Sequence, residues 1–144
     1  MNTFLPYGDP VRTARVLDRQ RLGKQRVECI QILGTLTDPA PGRGWARHPA
    51  VLMWRGYEPF LLRSYLRAMM DEWMARGYRN DLSEVHFARL EGVIGGCRSR
   101  VPPWFGDALF RSHRSNLLRK DPRHYRRYWP ALRDDLPYLW PVLS

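Results

Sequence analysis

Apolar residues recur every three or four positions along most of the chain, and no useful length of it alternates between apolar and polar residues as a half-buried strand does. This spacing places apolar side chains on one face of a helix, so the pattern predicts an all-α protein. The clearest example is residues 57–76, which we expect to form a buried helical seam with Gly77 as its C-cap. Its apolar positions are Phe60, Leu61, Tyr65, Leu66, Met69 and Trp73.

Capping signals set the boundaries of the other predicted helices. Asp9 and Pro10 are typical of an N-cap and a first helical residue, so a short helix should run from there to about Leu17. A second helix is expected from Arg21 to about Leu33, with Gly34 as its C-cap. Further helices are predicted from Pro49 with an interruption at Gly56, over residues 82–90 with Asp81 as N-cap, over residues 107–121, and from Pro122 to about Tyr128.

The segments between these helices have the composition of loops. Residues 37–44 and 92–106 are rich in glycine and proline, which favours turns over regular structure. The tail, residues 136–142 (LPYLWPV), should pack as an apolar clamp without regular structure. A chain of 144 residues, 44% of them hydrophobic, is the size of one ordinary domain. We therefore expect residues 1–144 to form a compact single-domain helical bundle with long loops.

The charge balance indicates a polyanionic partner. The chain has 24 Lys and Arg against 14 Asp and Glu, a net charge of +10, and nearly all of its basic residues are arginine. Arginine's planar fork suits phosphate and guanine recognition. No stretch approaches the roughly 18 apolar residues of a membrane-spanning helix, so nucleic acid is favoured over a membrane.

The ends and the cysteines predict location and chemistry. The first residues, MNTFLPYGDP, lack the basic start and apolar run of a signal peptide, so we expect a cytoplasmic, nucleoid-associated protein. Cys29 and Cys97 have no Cys or His neighbour at metal-site spacing. We expect no disulfide framework, no metal and no cofactor.

Residues 17–33 carry the strongest candidate for chemistry, because they set Glu28 among basic residues. A carboxylate among cations on an exposed helix face suits a site that grips phosphates and acts between them. The alternative is a surface pair of Lys24 and Glu28, worth only about 0.3–0.5 kcal/mol. A helical projection places Leu22, Cys29, Ile30 and Leu33 on one side, and Arg21, Lys24, Glu28 and Gln31 on the other.

A second basic cluster lies at residues 111–128, where seven cations and one acid are interleaved with aromatic residues. Arg111, Ser115 and Arg119 fall on one predicted solvent stripe, and such groups commonly contact a phosphate backbone. The alternative is a merely solvated face. Trp104, which follows two prolines in a loop, is either a wedge between base steps or a core residue.

The types of residue present favour one kind of nucleic-acid chemistry. Metal-dependent phosphodiester cleavage usually needs clustered acids to hold the ions, and the sequence offers one candidate carboxylate. A single carboxylate can instead steady an oxocarbenium-like centre, or position an amine or water, during cleavage of an N-glycosidic bond.

Several motifs resemble a bacterial group of the pyrimidine-dimer DNA glycosylase family, whose type member is a phage endonuclease V. They are RLGKQRVE (21–28), HPAVLMWRGYE (48–58), DEWMARGY (71–78), PPWFGD (102–107), SHRSNLLRKDPRHY (112–125) and DDLPYLWPV (134–142). The resemblance implies a monomeric all-helical enzyme that binds double-stranded DNA, extrudes a base and excises a damaged pyrimidine, with or without abasic-site lyase activity.

The same resemblance implies the catalytic residues. The family's assisting glutamate corresponds to Glu28, and its nucleophile is a free α-amine at the start of the chain. Asn2 is too large for ready removal of the initiator, so we expect the amine of Met1 to serve, or otherwise water with Glu28 as base. The expected DNA contacts are Arg21, Lys24, Arg26, Arg111, Arg114, Ser115, Arg119, Lys120 and Arg126.

Two other functions remain open at this stage. One is a non-catalytic module that recognises damaged or structured DNA or RNA, in which Glu28 would be dispensable. The other is an RNA-directed enzyme or a ribosome-associated factor, since basic charge alone does not distinguish DNA from RNA.

Overall fold

The computed structural model describes residues 1–38 and 44–141, and within them the regular structure is entirely helical, which confirms the predicted all-α class. A 3-10 turn, Gly44–Arg47, precedes α3, and a π-helical segment, Leu61–Leu66, joins α4 to α5. The α-helices are α1 (Pro10–Val16), α2 (Arg19–Leu36), α3 (Pro49–Leu52), α4 (Glu58–Phe60), α5 (Arg67–Ala75), α6 (Asp81–Ile94), α7 (Asp107–Lys120) and α8 (Pro122–Tyr125).

Helix α2 is the central element, because it packs against α3, the π-helical segment, α5 and α6. Its N-cap is Asp18, whose Oδ2 accepts a hydrogen bond from the Arg21 backbone N–H at 3.3 Å. The predicted C-cap at Gly34 is wrong: the helix continues to Leu36, and Thr37 ends it by donating from its hydroxyl to the Leu33 carbonyl at 2.7 Å. The longer helix keeps Leu36 against the core.

The predicted seam at residues 57–76 is confirmed as α4, the π-helical segment and α5 in succession. Gly56 and Gly77 bracket it with φ values of 88° and 93°, a conformation that favours glycine. The apolar positions from Phe60 to Met69 are buried, and Trp73 is half-buried. A π turn adds a residue to the turn and is frequent at functional sites; here it carries the buried Tyr65.

The C-terminal half follows the predictions with shifted boundaries. Helix α6 is capped at Asn80 and runs to Ile94, beyond the predicted end, before Gly95 turns the chain at φ 60°. Helix α7 ends at Lys120 and α8 at Tyr125. The tail has no regular structure up to Pro141, as predicted. Val142 and residues 39–43 of the predicted linker lie outside the described residues.

The first residues of the chain run through the middle of the fold, which the helical pattern did not predict. Residues 3–6 are buried without regular structure. The Thr3 hydroxyl accepts a hydrogen bond from the buried Trp54 indole at 3.0 Å. The Tyr65 hydroxyl donates to the Phe4 carbonyl at 2.6 Å. This segment, residues 1–6, is called the N-terminal segment below.

Candidate active site

A pocket of about 230 Å³ opens between the N-terminal segment, the first half of α2 and the end of α7. Its walls come from three separate parts of the chain, which the fold brings together. The lining residues are Met1, Asn2, Phe4, Gln20, Arg21, Lys24, Gln25, Glu28 and Lys120.

Glu28 is held in one orientation at this pocket. Its Oε2 accepts a hydrogen bond from the Asn2 backbone N–H at 3.1 Å and another from Gln25 Nε2 at 3.1 Å. Within residues 1–38 and 44–141, Oε1 makes no hydrogen bond. The carboxylate is half-buried, so one oxygen is tied to the fold while the other is available to a bound molecule.

The N-terminal segment is fixed by side chains from three other elements. Gln25 Oε1 accepts from the Phe4 backbone N–H at 3.0 Å, and His113 Nδ1 accepts from the Leu5 backbone N–H at 2.8 Å. The Tyr138 hydroxyl donates to Asn2 Oδ1, and its ring stacks on His113 with centroids 4.4 Å apart. These contacts set the position of Met1 relative to Glu28.

Burial determines the charge state of the groups that hold the segment. Burial lowers the pKa of His113 to about 4, so its ring is neutral near pH 7 and Nδ1 can accept. Burial raises the pKa of Tyr138 and that of Tyr65, so both hydroxyls keep the proton that they donate. His113, Tyr138 and Tyr65 therefore hold the segment as neutral partners over the physiological range.

The charges of the site also act on His48. Its pKa is lowered by burial and by the charge of the Met1 amine, while the charge of Glu28 acts in the opposite direction. The ring also packs edge-on against Trp140 at 5.9 Å between centroids. His48 Nδ1 accepts from the Ala50 backbone N–H at 3.0 Å and caps α3. The Met1 amine and Glu28 thus lie within electrostatic reach of one histidine.

The pocket brings together some of the predicted DNA contacts. Arg21, Lys24 and Lys120 line it beside Glu28 and Met1. Arg21 Nη1 is 3.2 Å from Asp18 Oδ1. Lys24 and Lys120 are exposed, and neither ammonium group has a partner within the described part of the chain. The pocket lining therefore includes two lysine ammonium groups that have no partner among the described residues.

Arg26 lies on another side of α2. Its guanidinium stacks over the Trp73 ring at 4.2 Å and donates to Asn80 Oδ1 at 2.6 Å and to Ser83 Oγ at 3.1 Å. These contacts fasten α2 to α5 and α6. They leave its guanidinium outside the pocket.

The other predicted arginines divide in the same way between structural and free positions. Arg114, Arg119 and Arg126 donate to backbone carbonyls, those of Pro6 at 2.8 Å, Leu136 at 3.0 Å and Leu132 at 2.6 Å respectively. Arg111 is exposed and makes no hydrogen bond within the described residues.

One expectation about exposure is wrong, that for Ser115. Ser115 was placed on a solvent stripe, but it is fully buried and its Oγ accepts from the Leu136 backbone N–H at 3.1 Å, because the tail covers this side of α7. Trp104 is half-buried edge-on against Trp54 and Phe105, with both pairs of centroids 5.1 Å apart. Its ring is packed at the edge of the core and is partly exposed, and its role as a wedge stays a prediction.

Sequence reasoning missed Gln25, His113 and Tyr138 as parts of this site. Gln25 has a recognisable signal: it lies three residues after Leu22 and four before Cys29, both on the apolar side of the projection, so an amide faces the core side of the helix. A polar group in that position needs buried partners. For Tyr138, in an irregular tail, no pattern was available.

The described residues were compared with the requirements of a metal site and of a membrane-spanning helix. Within residues 1–38 and 44–141, no group of three or more His, Cys, Asp or Glu side chains could hold a metal ion. Every helix of that part is too short or too polar to cross a membrane. Cys29 is buried, Cys97 is exposed, and both are free thiols.

Comparison with known families gives one finding. The family model described as pyrimidine dimer DNA glycosylase matches residues 1–84, which is more than half of the chain and includes Met1, Gln25 and Glu28. No significant match was found among curated proteins or among solved structures. On the strength of the family match, the chain belongs to the pyrimidine dimer DNA glycosylase family.

Proposed function

We propose that this protein is a DNA repair glycosylase that excises a damaged pyrimidine from double-stranded DNA, with the α-amine of Met1 as nucleophile and Glu28 as acid and base. The observation that carries the proposal is the contact between the start of the chain and the carboxylate. The Asn2 backbone N–H donates to Glu28 Oε2 at 3.1 Å, and Met1, the residue before Asn2, lines the same pocket as Glu28.

The chemistry requires a neutral amine beside a carboxylate that can move protons. The amine attacks C1′ of the damaged nucleotide, the bond between C1′ and the base breaks, and the base leaves with the bonding electron pair and takes a proton from solvent. Glu28 takes the proton lost by the amine and returns it to O4′ as the sugar ring opens to an imine. Elimination of the 3′ phosphate, with loss of a C2′ proton, then nicks the strand.

The charge at the rim supports a DNA substrate. Lys24 and Lys120 line the pocket with ammonium groups that have no partner within the described residues, and Arg21 belongs to the same lining. Contacts of this kind supply affinity for the phosphate backbone without reading sequence. We assign Arg111, which is exposed, to the outer part of the same contact with the phosphate backbone.

Borohydride trapping tests the mechanism directly. Duplexes that carry a cyclobutane pyrimidine dimer, an oxidised pyrimidine or an abasic site are incubated with the protein, and the imine is reduced to a stable adduct. An adduct whose mass maps to Met1 supports the amine mechanism. Excised base without an adduct indicates that Glu28 activates water. Binding to the lesion duplexes without product or adduct would overturn the assignment as an enzyme and favour a non-catalytic module.

A further inference from the structure

One buried side chain connects the two groups that the proposed reaction needs. Gln25 is fully buried. Its Nε2 donates to the Asn2 carbonyl and to Glu28 Oε2, both at 3.1 Å. Its Oε1 accepts from the Phe4 backbone N–H at 3.0 Å and lies 2.6 Å from the Tyr65 hydroxyl, whose single proton is shared between this oxygen and the Phe4 carbonyl. A side-chain amide has two donor hydrogens and two acceptor lone pairs, so both donors of Gln25 are used and its oxygen accepts one backbone hydrogen bond and shares the Tyr65 proton.

The partners on its two sides fix the direction in which the Gln25 amide points. If the amide were turned over, its NH₂ group would face the Phe4 N–H, and its oxygen would face the Asn2 carbonyl and the Glu28 carboxylate. Donors would then oppose donors and acceptors would oppose acceptors, in a site where buried polar groups must be paired. One orientation is therefore allowed, and in that orientation the amide always presents its hydrogens to Glu28.

The same amide is hydrogen-bonded to the N-terminal segment on both sides of Thr3. The Asn2 carbonyl and the Phe4 N–H both face Gln25, whose amide donates to the first and accepts from the second. Tyr65, from the π-helical segment, supports the amide from behind through its hydroxyl. The segment, the amide and the carboxylate thus form one rigid unit.

We propose that Gln25 is a positioning residue that sets the separation between the Met1 amine and the Glu28 carboxylate and reserves Glu28 Oε1 for proton transfer. This inference rests on the proposed function. It follows from the difference between the two carboxylate oxygens: Oε2 accepts hydrogen bonds from Asn2 and Gln25, whereas Oε1 accepts none within the described residues. A misplacement of about 1 Å at a reacting group can cost about 100-fold in rate.

The substitution that tests the inference is Gln25→Glu, which keeps the shape of the side chain. It retains an acceptor for Phe4 and Tyr65 but removes both donor hydrogens from the side facing Glu28. It also sets a second carboxyl group beside the first, and like charges disfavour ionisation. Glu28 would then lose its proton only at higher pH.

Two effects are expected in single-turnover excision. The maximal rate of Gln25→Glu should fall about 100-fold, and the acid limb of its pH–rate profile should move up by about one pH unit. The dissociation constant for the lesion duplex should stay within about threefold, because Gln25 is buried and makes no DNA contact. A residue needed only for folding would lower the amount of active protein and leave the shape of the pH profile unchanged.

Gln31→Glu is the matched control. It makes the same chemical change on the same helix, three residues after Glu28, but at an exposed position, where solvent screens the added charge. Its rate and its pH profile should stay close to those of the wild type. Thermal denaturation of both variants gives the folded fraction. If Gln25→Glu does not fold, Gln25→Asn, which keeps the amide but is too short to reach both Asn2 and Glu28, is measured in its place with the same expected loss of rate.

The outcomes separate the two proposals. Suppose that the wild-type protein excises the base and forms the borohydride adduct, and that a folded Gln25 variant has the same excision rate and the same acid limb. This result would overturn the positioning role alone. An equal shift of the acid limb in Gln31→Glu would also overturn it, because added charge would then be the cause. A wild-type protein with neither product nor adduct would overturn the proposed function, and the positioning role with it.

Discussion

Replacing Glu28 by glutamine should separate its chemical role from its structural one. The two hydrogen bonds that Oε2 accepts, from Asn2 N and Gln25 Nε2, can both be accepted by the carbonyl oxygen of a glutamine. Each changes from a charge-assisted bond to a neutral one, a difference of about 1 kcal/mol for a buried pair. Because Glu28 is only half-buried, we expect a total loss of about 1 kcal/mol in the free energy of unfolding.

The effect on the reaction should be much larger. An amide neither accepts the proton of the attacking amine nor returns it to O4′, and positioned acid–base groups typically contribute about 10²- to 10⁴-fold in rate. Single-turnover excision on a lesion duplex should therefore slow by at least about 100-fold. The melting temperature should fall by only about 2–4 °C.

Glu91→Gln is the matched control for this experiment. Glu91 is paired with Arg63, away from the pocket, so the same substitution there should lower stability by a comparable amount and leave the excision rate unchanged. A Glu28→Gln variant that keeps its rate within about threefold would refute the catalytic assignment. A melting temperature that falls far more for Glu28→Gln than for Glu91→Gln would indicate that the carboxylate mainly holds the fold together.

Two further predictions concern pH and salt. Burial lowers the folded-state pKa of His113 from 6.5 to about 4, so the unfolded state binds a proton that the folded state does not, and stability should fall by about 3 kcal/mol as the pH drops from 6.5 to 4. His113→Asn, which offers the Leu5 N–H an acceptor that does not titrate, should lose less stability over that range in urea denaturation, and equal losses would contradict the assignment. Lys24→Ala and Lys120→Ala should each reduce the slope of log affinity against log salt by about 0.9, whereas Arg26→Gln, which breaks internal contacts, should lower stability and leave the slope unchanged. An unchanged slope in both lysine variants would place the DNA elsewhere.

Helical periodicity and capping predicted most of the fold because both are local. Asp9 and Pro10 begin α1, and His48 caps the helix that starts at Pro49, as their side-chain chemistry dictates. Gly34 shows the limit of such signals. Its position suggested a C-cap, but packing of the next turn against the core outweighs the cost of a glycine inside a helix, which is about 1 kcal/mol.

The candidate site was only partly predictable. Glu28, Lys24 and Arg21 share a helix face, so their proximity follows from spacing. The approach of Met1 and Lys120 to that face depends on contacts between residues far apart in sequence, such as that of Leu5 with His113. No pattern of spacing encodes such contacts.

Irregular segments bury residues that helical spacing predicts to be exposed. Ser115 shares a helix stripe with Arg111 and Arg119, and the spacing alone places all three in solvent. The tail, however, lies along this side of α7 and buries the serine while the arginines stay exposed. An irregular segment has no period, so the face that it covers is visible only in the folded chain.

The most direct test of the central claim is to move the amine and leave everything else in place. One glycine added before Met1 displaces the terminal amine by about 3.5 Å, while Asn2, Gln25 and Glu28 keep their contacts. We predict that borohydride traps the native protein through Met1, and that the extended protein binds the same duplex but forms neither adduct nor nick. Trapping and nicking by the extended protein at the native rate would contradict the claim that an amine held beside Glu28 performs the reaction.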